Sequence, residues 1–173
     1  MLTSITIPDS VTSIEGSAFK NCTRLTSVTI PDSVTKIEDS VFAYCCSLTS
    51  VTIGNSVTSI KNDTFWGCTA LTSVTIGKRI TSIGERAFCN CTSLTSITIP
   101  NSVTAIRGSA FINCTSLKEA YCKSTTPPSG GSNMFNNNAS GRKIYVPRAS
   151  VDAYKAASYW SDYADDIEPY DFE

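Results

Sequence analysis

Cysteine is the residue type in this sequence with the clearest capacity for chemistry, and most cysteines recur at a fixed spacing. Five of the eight fall at every twenty-third position: Cys22, Cys45, Cys68, Cys91 and Cys114. Eight cysteines in a secreted chain would suggest a disulfide framework. Side chains at one repeat position point the same way in successive coils, however, and pairing five of them would leave one over. The spacing therefore predicts five free thiols, buried as small apolar side chains.

The other residues that could do chemistry predict neither catalysis nor a metal or cofactor site. The sequence has no histidine, the commonest general base and zinc ligand. Neither the pair Cys45 and Cys46 nor the pair Cys89 and Cys91 has the ligand spacing of a paired zinc site. Carboxylates such as Glu85 fall on the expected outer turns, where solvated charge is their ordinary role. The chain is therefore predicted not to be an enzyme.

The elements that position these residues follow the same repeat. Six leucines fall at every twenty-third position, and five phenylalanines keep that period. The leucines are Leu2, Leu25, Leu48, Leu71, Leu94 and Leu117, and the phenylalanines are Phe19, Phe42, Phe65, Phe88 and Phe111. A period of roughly 20–50 residues marks a solenoid, in which each coil needs its neighbours to bury its apolar face. The sequence therefore predicts one solenoid domain with Phe65 stacked between its equivalents.

Each coil begins with a strand pattern. In the coil that starts at Leu25, Val28 and Ile30 are expected to point inward and Ser27 and Thr29 outward, because side chains alternate along a strand. A Pro-Asp-Ser turn follows. Equivalent strands in successive coils would lie side by side and form a parallel sheet.

The second half of the coil is predicted to hold a short extended edge and a helical turn. Val34 and Ile37 supply a second inward pair after the Pro-Asp-Ser turn. The stretch from Asp39 to Cys45 carries apolar residues at spacings of three and four, which suits one helical or 3₁₀ turn.

The repeated coil resembles a known family. The coil LTSVTIPDSVTKIEDSVFAYCCS, from Leu25 to Ser47, and its equivalents between residue 2 and about residue 122 resemble leucine-rich repeats of the Bacteroides surface protein A type, also called the Treponema-pallidum-like class. The resemblance implies a right-handed leucine-rich repeat solenoid with a parallel β-sheet on one side and short 3₁₀ or helical turns on the other. It also implies an extracellular or cell-surface location, since members are mostly bacterial or protist surface and secreted proteins thought to bind host proteins or other cells.

The predicted organisation is a repeat array over residues 1–122, with five full coils and a partial sixth, and a C-terminal cap over residues 123–173. The segments STTPPSGGSNMF and KIYVPRASVDAYKAASYWSDYADDI resemble the α/β cap that closes such arrays. Ile144–Val146 has the pattern of a last strand, and Ser150 that of the N-cap of a helix over residues 151–158. The side chains expected to cover the final coil are Trp160, Tyr163 and Ile167.

The outward side of the sheet is the first candidate binding surface. Its columns contain serine and threonine in every coil: Ser27, Thr29, Ser50, Thr52, Ser73, Thr75, Ser96 and Thr98 are the central members. Threonine favours exposed strands, and stacked hydroxyls can bond along the ladder, so a structural role explains the pattern. A second reading is a flat hydroxyl lattice that binds a glycan or another ordered surface.

The outer turns are the second candidate binding surface. Trp66 and Tyr44 replace small or polar residues on adjacent coils, and exposed aromatic residues are enriched in interaction hot spots. Lys78 and Arg79 replace the usual Asp-Ser or Asn-Ser and form one basic spot on a turn ridge. Either departure is also compatible with drift between repeats.

These observations predict a non-catalytic adhesion or binding module for a protein on a host or other cell. A carbohydrate binder and a structural spacer of a longer surface protein are the alternatives. Lys plus Arg total 14 and Asp plus Glu total 15, so charge favours no nucleic acid, and no apolar run is long enough to span a membrane. Met1 directly precedes the first repeat leucine without a signal-peptide pattern. The uncapped first coil is expected either to contact the first coil of another copy or to be disordered.

Overall fold

The computed structural model describes residues 2–172 and consists of short parallel strands with helices in the C-terminal part. The strands are β1 (Ser13–Ile14), β2 (Ser27–Ile30), β3 (Lys36–Ile37), β4 (Ser50–Ile53), β5 (Ser59–Ile60), β6 (Ser73–Thr75), β7 (Ser82–Ile83), β8 (Ser96–Ile99), β9 (Ala105–Ile106), β10 (Glu119–Cys122), β11 (Lys143–Pro147) and β12 (Ile167–Tyr170). The helices are α1 (Val151–Ala156) and the 3₁₀ helices Arg148–Ser150 and Ser161–Asp166.

The strands form a parallel solenoid whose step is the sequence period. Val28 lies beside Val51, and Ile60 lies beside Ile83, each one repeat period further along the chain. One side of the coil carries β2, β4, β6, β8, β10, β11 and β12, and another side carries the two-residue strands. The burial of β2 alternates as predicted, with Val28 and Ile30 buried and Ser27 and Thr29 exposed. The leucine-rich repeat solenoid predicted from the sequence is therefore confirmed.

The phenylalanine column forms a continuous stack through the core. Ring centroids of successive members lie 5.2–5.6 Å apart from Phe19 to Phe135, and Phe65 contacts both Phe42 and Phe88. Phe65 has no solvent-exposed surface. The predicted position of Phe65 between its equivalents is therefore confirmed.

The outer turns differ in backbone conformation from the helical turn predicted for residues 39–45. Ser40 and Tyr44 have φ angles of 59° and 61°, in the left-handed region, so the right-handed helical path is interrupted twice within this segment. Some amides here bond between coils, as when Phe42 N–H donates to the Thr64 carbonyl at 2.9 Å, and others bond three residues back, as when Ala43 N–H donates to the Ser40 carbonyl at 3.1 Å. The segment is therefore a series of single turns that are joined to the next coil by hydrogen bonds.

The first coil is less regular than its successors. The predicted strand over residues 2–7 does not form a ladder with β2, although Thr26 N–H still donates to the Thr3 carbonyl at 3.2 Å. Val11 and Phe19 are half-buried, and Leu2 is 39% exposed. An apolar depression of about 300 Å³ lies over this coil, lined by Ile5, Ile7, Val11, Ile14 and Phe19.

The solenoid continues past residue 122, where the sequence period ends. Ala120 lies beside Ile144 and Ile144 beside Ile167, so β11 and β12 extend the sheet. Phe135 adds a sixth ring to the stack. Helix α1 ends at Ala156, earlier than the predicted residue 158.

The tail covers the last coil with aromatic side chains, as predicted. The rings of Trp160 and Tyr163 pack against Phe135, with centroids 6.1 and 5.7 Å from its own. Both side chains are buried, as is Ile167. Ser150 precedes α1 but its hydroxyl donates to the Thr125 carbonyl at 2.8 Å and makes no helix cap. That hydroxyl ties the cap to the preceding loop.

The cysteine column lies beside the phenylalanine stack with all its thiols free. Cys45, Cys68, Cys91 and Cys114 are fully buried. Each donates its Sγ–H to a phenylalanine carbonyl of the preceding coil, at 3.1–3.3 Å. The prediction of burial is wrong for Cys22, which is only half-buried because it lies in the first of the coils that the structure describes and is packed on one side only within residues 2–172.

Candidate functional site

The outward columns of the sheet lie in register and face solvent. Ser27, Ser50 and Ser73 are neighbours across β2, β4 and β6, and Thr29, Thr52 and Thr75 form the next row. The predicted hydroxyl ladder occurs one column away, where Thr49 Oγ1 donates to the Thr26 carbonyl at 3.0 Å and Thr72 Oγ1 to the Thr49 carbonyl at 3.1 Å.

The sheet ladder is interrupted between β6 and β8. Within residues 2–172, β6 ends a three-stranded sheet and β8 begins a four-stranded one. Thr72 N–H donates to the Thr49 carbonyl at 2.9 Å, but the equivalent bond from Thr95 to Thr72 is missing within the described residues. The second sheet continues across the same step, since β7 pairs with β9. Within residues 2–172, the coil that contains β6 and the coil that contains β8 therefore separate on the β6–β8 side and stay paired on the β7–β9 side.

Two residues at this step lack groups that form hydrogen bonds at other steps of the solenoid. Lys123 N–H donates to the Ile99 carbonyl at 3.0 Å, but Pro100 occupies the same repeat position one coil earlier and has no N–H. In the adjoining turn, Asn55 N–H donates to Asp32 Oδ1 at 2.6 Å and Lys78 N–H donates to Asn55 Oδ1 at 3.1 Å.

The side-chain series in this turn stops at Lys78, because an ammonium group cannot accept a hydrogen bond. The amide of Asn101, one coil later, therefore has no equivalent acceptor on Lys78. Pro100 and Lys78 both lie at the corner where β6 and β8 separate.

The separation opens a cavity that we name the sheet cleft. It has a volume of about 530 Å³ and is lined by Val74, Ile76, Lys78, Thr98, Pro100 and Lys123, among others. Val74 and Ile76 are half-buried, whereas the equivalent Val51 and Ile53 are each 2% exposed. The cleft therefore exposes side chains that the closed ladder buries.

An aromatic cluster adjoins the sheet cleft on the outward face of β10–β12. The rings of Tyr121 and Tyr145 stack at 4.9 Å, and Tyr170 lies 5.3 and 5.5 Å from them. Phe172 packs against Tyr170 at 4.8 Å, and Lys123 Nζ lies 5.8 Å from the Phe172 centroid. A second depression of about 360 Å³, lined by Tyr121, Tyr170 and Phe172, shares Lys123 and Thr98 with the cleft.

Ion pairs neutralise most charges around the aromatic cluster. Arg148 binds the Asp171 carboxylate with two bonds of 3.0 and 2.8 Å and holds the pKa of that carboxyl below its usual range. Lys143 Nζ donates to Glu168 at 2.8 Å. Burial, with a hydrogen bond to Glu119, raises the pKa of Tyr121 to about 12. The phenol of Tyr121 therefore stays protonated at physiological pH.

The outer-turn residues form a separate cluster. The Trp66 and Tyr44 rings are 5.0 Å apart, and Arg86, which binds Asp63 with bonds of 2.8 and 3.1 Å, lies 5.8 Å from the Trp66 ring. Tyr44 lies over Gly67, where a Cβ atom would come within 2.7 Å of its ring. The prediction placed Trp66 on an exposed turn, whereas its indole is half-buried between Tyr44 and Arg86.

The predicted site residues thus fall on two surfaces. Lys78 lines the sheet cleft and Arg79 is exposed beside it in sequence, while Trp66 and Tyr44 belong to the outer turns. Among the described residues, no group of three or more Cys, Asp or Glu side chains is arranged to hold a metal ion. Over residues 2–172, no helix has the length and apolar character needed to cross a bilayer.

Comparison with protein families gives a match to the BspA type leucine-rich repeat region. Six copies match, over residues 1–118 and 35–162. The second range includes much of the tail that the sequence analysis separated from the array. A comparison with curated proteins gave no match.

Solved structures of leucine-rich repeat proteins are similar over most of this chain. One from Bacteroides ovatus is 30% identical with a TM-score of 0.77, over 98% of this chain and 43% of its own. A leucine-rich cell surface protein from Faecalibacterium prausnitzii is 28% identical with a TM-score of 0.70, over 91% of this chain and 51% of its own. A T. pallidum leucine-rich repeat protein shares the fold. It is 21% identical with a TM-score of 0.67, over 83% of this chain and 73% of its own. The chain spans about half the length or less of the first two proteins.

Proposed function

Because this chain belongs to the BspA-type leucine-rich repeat family, we propose that it is a non-catalytic module that binds a protein partner through its sheet face. Leucine-rich repeats of this family form protein-binding scaffolds. The proposed setting is the cell surface or extracellular space, as the name of the F. prausnitzii relative indicates for that protein. The proposed partner is a protein of a host or of another cell.

The observation that carries this proposal is the change of character along the sheet face. Serine and threonine rows on β2, β4, β6 and β8 give way to the aromatic cluster on β10–β12, one strand beyond the sheet cleft. Aromatic residues beside a partly open cavity that exposes Val74 and Ile76 supply buried contact area that a uniform hydroxyl surface lacks. The rigid stack beneath holds these groups in place, so little ordering would accompany binding.

The test is a panel of purified extracellular-matrix and host-surface proteins, each captured on a sensor and exposed to this chain. We expect at least one saturable interaction that Tyr145→Ser weakens by tenfold or more, roughly the effect of losing one aromatic hot spot. Trp66→Ala is the matched control, since it removes an aromatic side chain from the outer turns. Loss of binding in the control alone would move the site to Trp66 and Tyr44. No interaction across the panel would contradict the proposal and favour a spacer.

Carbohydrate binding is the second candidate function. The observation that favours it is the tyrosine cluster beside exposed hydroxyl rows, because carbohydrate sites use aromatic platforms. A glycan array run with the same proteins distinguishes the two candidates. Saturable binding of a glycan class that Tyr145→Ser abolishes would support the carbohydrate reading, and an empty array beside a positive protein panel would reject it.

A further inference from the structure

We propose that the sheet cleft binds an extended acidic segment of the protein partner. An apolar side chain of that segment enters between β6 and β8, and its carboxylates lie at Lys78 and Lys123. This inference rests on the proposed function and adds the site and the chemical class of the ligand. Three properties of the cleft support it.

The width of the cleft admits side chains and excludes a whole strand. Cα atoms of β6 and β8 still approach within 8 Å. Insertion of a strand between two others needs about 9.6 Å, which is twice the strand spacing of about 4.8 Å. The partner's backbone must therefore run over the face, with side chains pointing into the cavity of about 530 Å³.

The walls of the cleft are apolar where a side chain would enter. Val74 and Ile76 are only half-buried, and Pro100 closes the opposite side. Their equivalents Val51 and Ile53 are buried by the next coil. An apolar side chain of the partner would therefore bury the surface that the closed ladder covers elsewhere in the stack.

The charges at the rim of the cleft favour an anionic ligand. Lys78 and Lys123 are both exposed, and neither forms an ion pair within residues 2–172. The nearest carboxylate of the adjoining depression, Asp171, is bound by Arg148. The rim is thus locally positive on a chain whose formal net charge is −1. This arrangement would attract carboxylates and repel a basic segment.

The first test uses a fluorescein-labelled eight-residue peptide that alternates leucine and aspartate. Fluorescence anisotropy should show saturable binding that weakens as salt is added. Peptides that alternate leucine with lysine, or serine with aspartate, should bind at least about tenfold more weakly because each lacks one of the two required chemistries. Equal binding of either control peptide, or no saturable binding of the first, would overturn the inference.

The second test locates the site. The double variant Lys78→Glu with Lys123→Glu should weaken the leucine–aspartate peptide by about tenfold or more. Lys20→Glu with Lys61→Glu is the matched control, because it makes the same charge change at exposed lysines elsewhere. Equal losses in both would show non-specific attraction and overturn the inference. A panel partner that binds the cleft variant with unchanged affinity would overturn the cleft as its site while leaving protein binding intact.

Discussion

Repair of the interrupted ladder should close the sheet cleft. The double variant Lys78→Asn with Pro100→Gly recreates the Gly-Asn turn of the coil that contains Gly54 and Asn55. It supplies a side-chain acceptor for the next turn and a backbone N–H at position 100, where proline has none. In the equivalent turn the amide of Lys78 already bonds to Asn55 Oδ1 at 3.1 Å. Val74 and Ile76 should then become as buried as Val51 and Ile53.

The global stability of this variant should change little. Two regained hydrogen bonds contribute roughly 1–3 kcal/mol together. Replacement of proline by glycine frees the unfolded chain and costs about 1–2 kcal/mol. These contributions nearly cancel, so the melting temperature is a poor measure of the effect. Local exchange is the sensitive measure, because an opening made about 1.4 kcal/mol less favourable slows exchange about tenfold.

The assay is amide hydrogen exchange of the strand edges. In the unmodified chain, residues 73–76 and 96–99 should exchange faster than residues 50–53, which are paired on both sides. The double variant should remove that difference. The reciprocal control Gly54→Pro should accelerate exchange in β4, since a Cβ at Gly54 would lie 2.8 Å from the Ile30 oxygen. Equal protection of all three segments in the unmodified chain would refute the reasoning.

Other expectations follow from the core and the first coil. Phe65→Ala should lower the free energy of unfolding, measured by urea titration, by about 3–5 kcal/mol, because Phe65 stacks between two other rings. The control Thr52→Ser should change it by less than about 0.5 kcal/mol. Similar losses in the two variants would contradict the assignment of Phe65 to the buried column. A thiol reagent at about pH 8 should label exposed Cys46 first and Cys22 next. The other thiols should stay unlabelled until denaturation, because burial raises pKa values such as that of Cys45 to about 12. A consensus coil fused ahead of the first coil should raise the melting temperature and suppress self-association in ultracentrifugation, and an already monomeric chain with no gain in stability would speak against an adhesive first coil.

The core could be predicted from the sequence because burial follows the period residue by residue. Leucine, phenylalanine and cysteine columns each occupy one inward position, and the structure places Phe65 and Cys68 where the spacing requires. The predicted helical or 3₁₀ turn is present only as single turns, which are interrupted by left-handed residues. Apolar spacings of three and four also fit consecutive turns, and the positive φ angles at Ser40 and Tyr44 decide between them.

The sequence predicted the strand at residues 144–146, which lies in β11, but did not show that β11 and β12 continue the solenoid. Ala120 pairs with Ile144 at a spacing slightly wider than the repeat, so the two residues do not fall in the same column of the sequence alignment. The strands still pair, because backbone hydrogen bonds do not depend on a repeated side chain. The tyrosine cluster was missed for the same reason, since Tyr121, Tyr145 and Tyr170 are also spaced a little wider than the repeat. A search that tolerated short insertions between coils would have found both.

The sheet cleft lies where strand hydrogen bonds are absent between β6 and β8. The spacing of apolar residues in the sequence does not predict which of these hydrogen bonds form. The sequence feature that indicates the cleft is Lys78, which stands where the preceding coil has the hydrogen-bond acceptor Asn55. Pro100 follows one coil later. Proline alone was not informative, because Pro31 and Pro100 recur as part of the consensus. The combination of a missing acceptor and a missing donor at one step distinguishes this coil.

The proposed binding surface is tested most directly by hydrogen exchange of the chain with and without the partner recovered from the protein panel. We expect added protection at residues 74–78 and 98–101 and around Lys123, where the sheet cleft lies. Residues 44 and 66 on the outer turns should exchange equally in both states. Protection confined to the outer turns would contradict binding through the sheet face.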